Sequence, residues 1–121
     1  MGAFVISKRW NGEFKFVFSS RKGKVIFTSI GCKSRSLCDE LIAEIRVNIN
    51  GFAFTKVKSA GGKYSFRISR EGLVLANSRK YTTELMLQKG IDEIIKYVHA
   101  AETLDFSEND FVFPEDIVFE E

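Results

Sequence analysis

The chain has 121 residues and a formal net charge of +2, and 45% of its residues are hydrophobic, among them twelve Phe. A chain of this length can bury its own core, and this apolar content excludes a largely disordered protein. No apolar run is long enough to span a bilayer, and the opening residues alternate like a strand instead of forming a signal peptide. We therefore expect one cytoplasmic domain over residues 1–121, with no membrane partner.

The first part of the chain predicts three short strands joined by tight turns. A strand begins at Phe4, and a second strand over residues 14–18 shows strict apolar alternation. Asn11-Gly12 between them is typical of a type I′ hairpin turn, which needs positive φ at both central residues. A turn at residues 21–23 leads to a third strand at residues 25–27.

A helix follows these strands. Ser36 with Asp39 three residues later resembles a capping box, and Asn50-Gly51 is typical of a helix end. The apolar residues with helical spacing are Leu37, Leu41, Ile45 and Ile49, flanked by Cys38 and Ile42.

The same order returns in the second part. Strands are predicted over residues 64–68 and 73–76, with turns at Gly61-Gly62 and Glu71-Gly72. Thr83 and Glu84 open a second helix. Its apolar stripe consists of Leu87, Ile91, Ile94, Ile95 and Val98.

The two parts align with each other at the turn glycines and the apolar positions. Gly12, Phe14, Phe16 and Phe18 match Gly62, Tyr64, Phe66 and Ile68 at an offset of fifty residues. At an offset of forty-nine, Gly23, Val25, Ile26, Ser29, Ser34, Ile42 and Ile45 match Gly72, Val74, Leu75, Ser78, Thr83, Ile91 and Ile94. This pattern predicts a tandem duplication, with repeats over residues 3–50 and 52–99 and an acidic, aromatic segment over residues 102–121.

The join between the predicted repeats is too short for a flexible linker, so we expect a single merged unit. The predicted fold class is α+β. Two β-β-β-α(-β) repeats merge into one mainly antiparallel sheet, with two helices packed on one face.

Over residues 3–98 the sequence resembles the YegP-like family, a UPF0339-type group of small domains of unknown function. The resemblance lies in Gly12-x-Phe14-x-Phe16, Gly23-x-Val25-Ile26-x-x-Ser29, Gly62-x-Tyr64-x-Phe66, Gly72-x-Val74-Leu75-x-x-Ser78-x-x-Tyr81 and Lys89-Gly90-Ile91-x-x-Ile94. It implies that the two copies form one sheet by exchanging the strand that follows each helix. The first copy departs from the pattern, with Cys32 matched to Tyr81 and Leu41 matched to Gly90. The family brings no activity, cofactor or catalytic residue.

The side chains capable of catalysis are sparse. His99, the single histidine, stands at the end of the second helix, where a cation favourably faces the helix dipole. Cys38 fits a buried position, and Cys32 has no histidine placed by the sequence to activate it. We predict no enzyme, no catalytic residue, no metal site and no cofactor, with a small enzyme working from Cys32 as a distant third hypothesis.

The charges divide unequally along the chain. Residues 1–101 contain all 18 Lys and Arg against eight acids, a net charge of +10, and residues 102–121 contain eight acids and no base, a net charge of −8. The basic residues on predicted strands and turns, which could bind a polyanion on the outer sheet face, are Lys8, Arg9, Lys15, Arg21, Lys22, Lys24, Lys56, Lys58, Lys63, Arg67 and Arg70. The same residues are also expected if they simply solvate that face, and this interpretation is favoured.

Two further features remain. Trp10, which Ala60 replaces in the second part, is either a partner contact or a side chain folded over its hairpin. The segment after residue 102 contains Phe111, Phe113 and Ile117, too apolar for a free acidic tail. We expect it to dock on its own domain or on a neighbouring copy, which would allow self-association, and to mask the basic face in part.

The function best supported by the sequence is a non-enzymatic binding or structural module of uncharacterised role. The alternative is a nucleic-acid-binding protein that uses a basic outer sheet face. Nucleic acid is therefore an allowed partner but not the favoured one.

Overall fold

The computed structural model describes residues 2–106. Seven strands form one sheet: β1 (Ala3–Lys8), β2 (Phe14–Ser19), β3 (Val25–Ser29), β4 (Ala53–Lys58), β5 (Tyr64–Arg70), β6 (Leu73–Ser78) and β7 (Glu102–Asp105). Helix α1 (Arg35–Asn48) lies between β3 and β4, and helix α2 (Glu84–Tyr97) lies between β6 and β7. Each helix continues into a short 3₁₀ turn, Ile49–Gly51 and Val98–Ala100. Within the described residues, neither helix is long and apolar enough to cross a membrane.

The strand order across the sheet is β4-β5-β6-β3-β2-β1-β7. All neighbouring pairs in residues 2–106 are antiparallel except β1 with β7, which is parallel. The central pairing of β3 with β6 joins the two parts of the chain. Each helix is followed by a strand that pairs in the other part, since β4 pairs with β5 and β7 pairs with β1. The predicted α+β fold with one mainly antiparallel sheet is confirmed.

The core is a single cluster rich in phenylalanine. Alternation along β1, β2 and β3 turns Phe4, Phe16, Phe18 and Phe27 to the same sheet face, where all four are fully buried. Phe18 and Phe27 stack with ring centroids 5.6 Å apart, and Phe4 meets Phe16 edge to face at 6.0 Å. Buried residues of both helices belong to this one cluster, so both helices pack on the same face.

The first helix begins two residues earlier than the capping-box pattern suggested. Ser34 is the N-cap, with an extended backbone, and its side chain accepts a hydrogen bond from the Leu37 N–H. The buried stripe is Cys38, Ile42 and Ile45, so Leu37 at its margin is 38% exposed. The second helix begins as predicted, because Thr83 accepts a hydrogen bond from the Met86 N–H.

The turns explain why the two parts differ by one residue. At the first hairpin only Gly12 has positive φ, +89°, so the predicted type I′ turn at Asn11-Gly12 is wrong. The longer loop places the Gly12 N–H 3.0 Å from the Arg9 carbonyl oxygen. Positive φ at two consecutive residues occurs instead at Glu71 and Gly72, between β5 and β6. The matched β2–β3 turn has three residues at its tip, 21–23, and therefore projects further.

The matched serines have a structural role. The Ser29 hydroxyl accepts from the Phe16 N–H at 2.9 Å and donates to the Ile30 carbonyl oxygen at 2.8 Å. Ser78 makes the same two bonds, with the Phe66 N–H and the Arg79 carbonyl oxygen. Each hydroxyl satisfies backbone groups where a strand leaves the sheet, which accounts for serine at both positions.

The C-terminal segment starts as sheet structure. The β7 strand extends the sheet beside β1, and the Phe106 N–H donates to the Ile6 carbonyl oxygen at 2.9 Å. The expected docking of Phe111, Phe113 and Ile117 lies outside the described residues and stays a prediction. The duplication and the repeat boundaries also stay predictions.

We predict that neither part folds alone when the chain is divided between residues 50 and 51. The first fragment would lose β6 beside β3 and β7 beside β1, and both fragments would lose a share of the common core. Circular dichroism melts should show no cooperative transition for either fragment, whereas the intact chain should melt cooperatively. A cooperative transition from one isolated fragment would contradict this interlocked fold.

Candidate functional site: a basic groove beside the second helix

The eleven basic residues predicted for the outer sheet face do not form one surface. Lys8, Lys56 and Lys58 alternate in phase with Phe4 and therefore lie on the helix side of the sheet, at its margins. Arg70 lies on the same side, because it forms an ion pair with Glu44 of α1. Five more lie in turns or at their ends, namely Arg9, Arg21, Lys22, Lys24 and Lys63. The remaining two, Lys15 and Arg67, lie on the face opposite the helices.

The face opposite the helices is less basic than the sequence suggested. Lys15 pairs with Ser7 across β2 and β1, and both side chains are buried, at 7% and 1% exposure. Arg67 is exposed on β5. Of the eleven predicted residues, Arg67 is thus the one cation within the described chain that this face presents to solvent.

Three of the predicted residues do come together, beside α2. The β2–β3 turn, with Arg21, Lys22 and Lys24, faces this helix and forms with it two adjoining pockets. The first pocket, of about 370 Å³, also includes Tyr97. The second, of about 230 Å³, includes Arg79. We call this pair of pockets the basic groove. Its lining residues are Ser20, Arg21, Lys22, Lys24, Ile26, Arg79, Tyr81, Met86, Lys89, Gly90, Glu93 and Tyr97.

The helical wall of the basic groove is one stripe of α2. The residues of this stripe recur at spacings of three and four, which places them on one side of the helix. They are Met86, Lys89, Gly90, Glu93 and Tyr97. The opposite wall comes from the first part of the chain, through the β2–β3 turn. The groove therefore exists only because the two parts share one sheet.

The groove contains five cations and one carboxylate. Within residues 2–106 no ion pair joins Arg21, Lys22, Lys24, Arg79 or Lys89 to an acid. The Arg79 guanidinium lies 5.6 Å from the Tyr81 ring centroid, a cation–π contact that leaves its charge uncompensated. The result is a concave surface of concentrated positive charge.

Tyr81 and Gly90 form the floor of the second pocket. Tyr81 is buried against α2, and a Cβ atom built on Gly90 would lie 2.4 Å from the Tyr81 hydroxyl oxygen. Burial raises the pKa of Tyr81, with Glu93 adding to the rise and Arg79 opposing it. Tyr81 is therefore a neutral phenol at neutral pH, and Gly90 is the residue that makes space for it.

A second groove, of about 340 Å³, occupies the matched place in the other part of the chain. Here the β5–β6 turn faces α1, and Leu41, Glu44 and Leu73 line the space. The Arg70 guanidinium forms an ion pair with the Glu44 carboxylate and lies 5.5 Å from the Phe52 ring centroid. The matched groove therefore compensates its own charge.

The alignment of the chain with itself shows how the grooves differ. At the offset of forty-nine, the basic groove has Lys24, Arg79 and Lys89 where the second groove side has Leu73, Ile30 and Glu40, respectively. Gly90 matches Leu41, while Glu93 and Glu44 are both acids. At these three positions the basic groove has a cation, and the matched residue is apolar or acidic.

Trp10 stands apart from the groove. It lies in the loop between β1 and β2 and is 65% exposed. Of the two orientations considered from the sequence, the structure has the side chain in solvent instead of folded over the hairpin. Its role as a partner contact stays a prediction.

The thiols are enclosed. Cys32 and Cys38 are fully buried, and the Cys32 thiol lies 3.6 Å from the Ile30 carbonyl oxygen. Desolvation by burial raises the pKa of both thiols, so neither supplies a thiolate near neutral pH. Among residues 2–106, no group of three or more His, Cys, Asp or Glu side chains is arranged to hold a metal ion.

Sequence reasoning missed the helical wall of the groove. The predicted basic surface consisted of residues on strands and their turns, whereas the missed residues lie after β6 or on α2. They are Arg79, Lys89, Glu93 and Tyr97. The signal was present in the alignment, where Lys89 opposes Glu40 and Arg79 opposes Ile30. Charge changes at matched positions would have indicated that one side carries a site.

The fold and the groove define a small α+β protein with a charged cleft, and comparison with known proteins supplies its relatives. No family model matches the chain. A "UPF0339 protein in ptx operon 5'region" of Stutzerimonas stutzeri is 26% identical over 106 residues, which cover 86% of this chain and 96% of that protein.

Two solution NMR structures share the fold. The yegP protein of E. coli, described as a protein of unknown function, is 23% identical with a TM-score of 0.80, over 90% of this chain and 96% of that one. A UPF0339 protein of Shewanella oneidensis is 21% identical with a TM-score of 0.80, over 90% and 94%. These similarities confirm the predicted resemblance to the YegP-like, UPF0339 family. These relatives carry no assigned activity.

We predict that Gly90→Ala destabilises the protein although alanine favours helices. The new methyl group would collide with the Tyr81 hydroxyl, and overpacking typically costs ~1–3 kcal/mol, more than the ~1 kcal/mol gained in helix propensity. Chemical denaturation should show the loss, and Tyr81→Phe in the same chain should recover part of it. Gly61→Ala is the matched control, because its Cβ would meet nothing within 4 Å. Equal stability of the Gly90 and Gly61 variants would show that this packing is wrong.

We predict that Arg70→Met raises the pKa of Glu44. Two hydrogen bonds lower that pKa below its ordinary value, the one from Arg70 having the larger effect and the one from Asn48 the smaller. A lowered native pKa stabilises the fold above the unfolded-state pKa, and that contribution is lost as pH falls through the native one. The stability difference between wild type and variant should therefore shrink on acidification.

Carboxyl NMR titration would measure the pKa of Glu44 directly. Arg67→Met, on the same strand but the opposite face, is the matched control and should leave Glu44 unchanged. An unshifted Glu44 titration in Arg70→Met would contradict the ion pair.

Proposed function

We propose that this protein is a non-enzymatic binding module that takes anionic ligands in the basic groove. The observation that carries the proposal is the convergence of five cations on one cleft, without an acidic partner in the described chain apart from the nearby Glu93. Like charges held this close repel one another, so an anion that enters the groove relieves repulsion as well as gaining contacts.

The shape of the groove supports a small ligand. Its larger pocket has the volume at which small-molecule sites begin, about 300 Å³ and above, and it is open on one side. Lys and Arg side chains at its rim supply charge-assisted hydrogen bonds, while Ile26 and Met86 supply apolar contacts. The two thiols are buried in the core and do not line the groove. Binding without chemistry is the role that these residues favour.

The nucleic-acid alternative is less well supported by this geometry. It relied on a basic outer sheet face, and of the eleven residues assigned to that face only Arg67 is exposed there, while the others lie in turns, at sheet margins or, as Lys15, buried. A long nucleic acid needs a contiguous basic track, whereas the groove is a short cleft. An oligonucleotide is therefore included in the test as a competing ligand.

The test uses pyrophosphate as the probe at low ionic strength, with binding followed by calorimetry and by amide NMR shifts of the full chain. We expect shifts concentrated at residues 20–24 and 86–97, and weaker binding as salt is added. In a Lys24→Glu, Lys89→Glu double variant, affinity should fall by about tenfold or more, since a contact to a charged group is worth ~1.5 kcal/mol.

The matched control is the double variant Lys56→Glu, Lys63→Glu. It changes the net charge by the same amount as the groove variant, but on β4 and in the turn that follows it, away from the groove. This control should bind pyrophosphate like the wild type. Equal weakening in both double variants, or no binding of pyrophosphate at low salt, would overturn the proposal. Tighter binding of a single-stranded oligonucleotide, with shifts at Arg67 and Trp10, would support the nucleic-acid alternative instead.

A further inference from the structure

The single carboxylate of the basic groove lies between its two pockets. Ser20, Lys24 and Glu93 line both pockets, whereas Arg21, Lys22 and Tyr97 line the first and Arg79 and Lys89 line the second. Two cationic regions therefore flank a centre in which the Lys24 ammonium and the half-buried Glu93 carboxylate carry opposite charges and Ser20 adds a hydroxyl group.

The spacing of the two regions follows from the helix. Lys89, Glu93 and Tyr97 are successive members of an i, i+4 series on α2, so each lies about 6 Å along the axis from the next. A ligand that occupies both regions must extend by ~10 Å along this stripe, past the Glu93 carboxylate. The groove is thus divided by charge along its length.

The Glu93 carboxylate repels an anion placed at the centre of the groove. Its charge already acts on the neighbouring Tyr81, whose pKa it helps to raise, so it is electrostatically active in this cleft. A carboxylate accepts hydrogen bonds and cannot donate them, and the Ser20 hydroxyl can do either. The centre therefore favours a neutral ligand segment that donates hydrogen bonds, such as one bearing hydroxyl groups.

The floor of the second pocket suits a carbon skeleton. Ile26, Met86 and the Tyr81 ring are apolar, and Gly90 has no side chain that would displace the Tyr81 ring from the cleft. A bare inorganic anion would leave these surfaces without a partner.

We propose that the ligand class of the basic groove is a small organic molecule with an anionic group at each end and a hydroxyl-bearing middle. This inference rests on the proposed function, that the groove binds anions, and adds to it the separation of charges that the ligand must have. Glu93 is the residue that selects this ligand class, because its carboxylate repels a ligand that is negatively charged along its whole length.

The experiment compares four probes by calorimetry on the full chain: fructose 1,6-bisphosphate, hexane-1,6-diyl bisphosphate, glucose 6-phosphate and pyrophosphate. We expect the sugar bisphosphate to bind about tenfold more tightly than the one-ended phosphate or pyrophosphate, since it gains at least one charge-assisted contact. The hexanediyl compound, which lacks hydroxyl groups, should bind more weakly than the sugar bisphosphate.

Glu93→Gln tests the selecting residue with an almost isosteric change. It should strengthen pyrophosphate binding and reduce the preference for the sugar bisphosphate over pyrophosphate, because the central repulsion is gone. Asp92→Asn, the adjacent exposed carboxylate on α2, is the matched control with the same charge change and should leave that preference intact.

The outcomes separate this inference from the proposed function. Pyrophosphate binding at least as tightly as the sugar bisphosphate, or an unchanged preference in Glu93→Gln, would overturn the ligand class while groove binding stands. Failure of all four probes to bind, or binding unaffected by Lys24→Glu with Lys89→Glu, would overturn the proposed function as well.

Discussion

The fold depends on the pairing of β3 with β6. Three residue pairs connect these strands, Phe27 with Ser78, Thr28 with Asn77 and Ser29 with Ala76, and they turn a four-stranded and a three-stranded piece into one sheet. Because the sheet is continuous, its helix side is one surface, and both helices must share it. Each helix then faces a turn of the other part, α1 the β5–β6 turn and α2 the β2–β3 turn. Without the central pairing neither groove would have two walls.

The same scaffold therefore builds two clefts with opposite electrostatics. In one, the Arg70–Glu44 ion pair and the Phe52 ring line the space, and the charges are paired. In the other, the matched position has the acid Glu93, and cations surround it. Exposed ion pairs contribute little to folding, whereas a cluster of uncompensated cations is destabilising by repulsion. The charge of the basic groove therefore does not stabilise the fold, which is consistent with the proposed anion binding.

Sequence patterns predicted the architecture well because they reflect burial and turn chemistry. Phe4, Phe16 and Phe18 alternate, and Leu87, Ile91 and Ile94 repeat at helical spacing, so both element type and core side could be read. The site could be predicted only in part. Arg21, Lys22 and Lys24 were noted as basic turn residues, but their grouping with Lys89 depends on α2 crossing to the turn of the other part. That contact is set by tertiary packing and leaves no periodic signal.

The first residues of the acidic C-terminal segment contact helix α1. Asp105 pairs with Arg35 at 2.8 Å, and the Arg46 guanidinium donates to the Ala101 carbonyl oxygen and the Thr103 hydroxyl. These contacts tie β7 to α1, on the side of the sheet beside β1, and none involves a groove cation. Asp105 thus helps to fasten the last strand to α1 and, among the contacts described for residues 2–106, pairs with no groove cation. The net charge of +10 on residues 1–101 attracts anions over a Debye length, roughly 8 Å at physiological salt, and five of those cations converge on the basic groove.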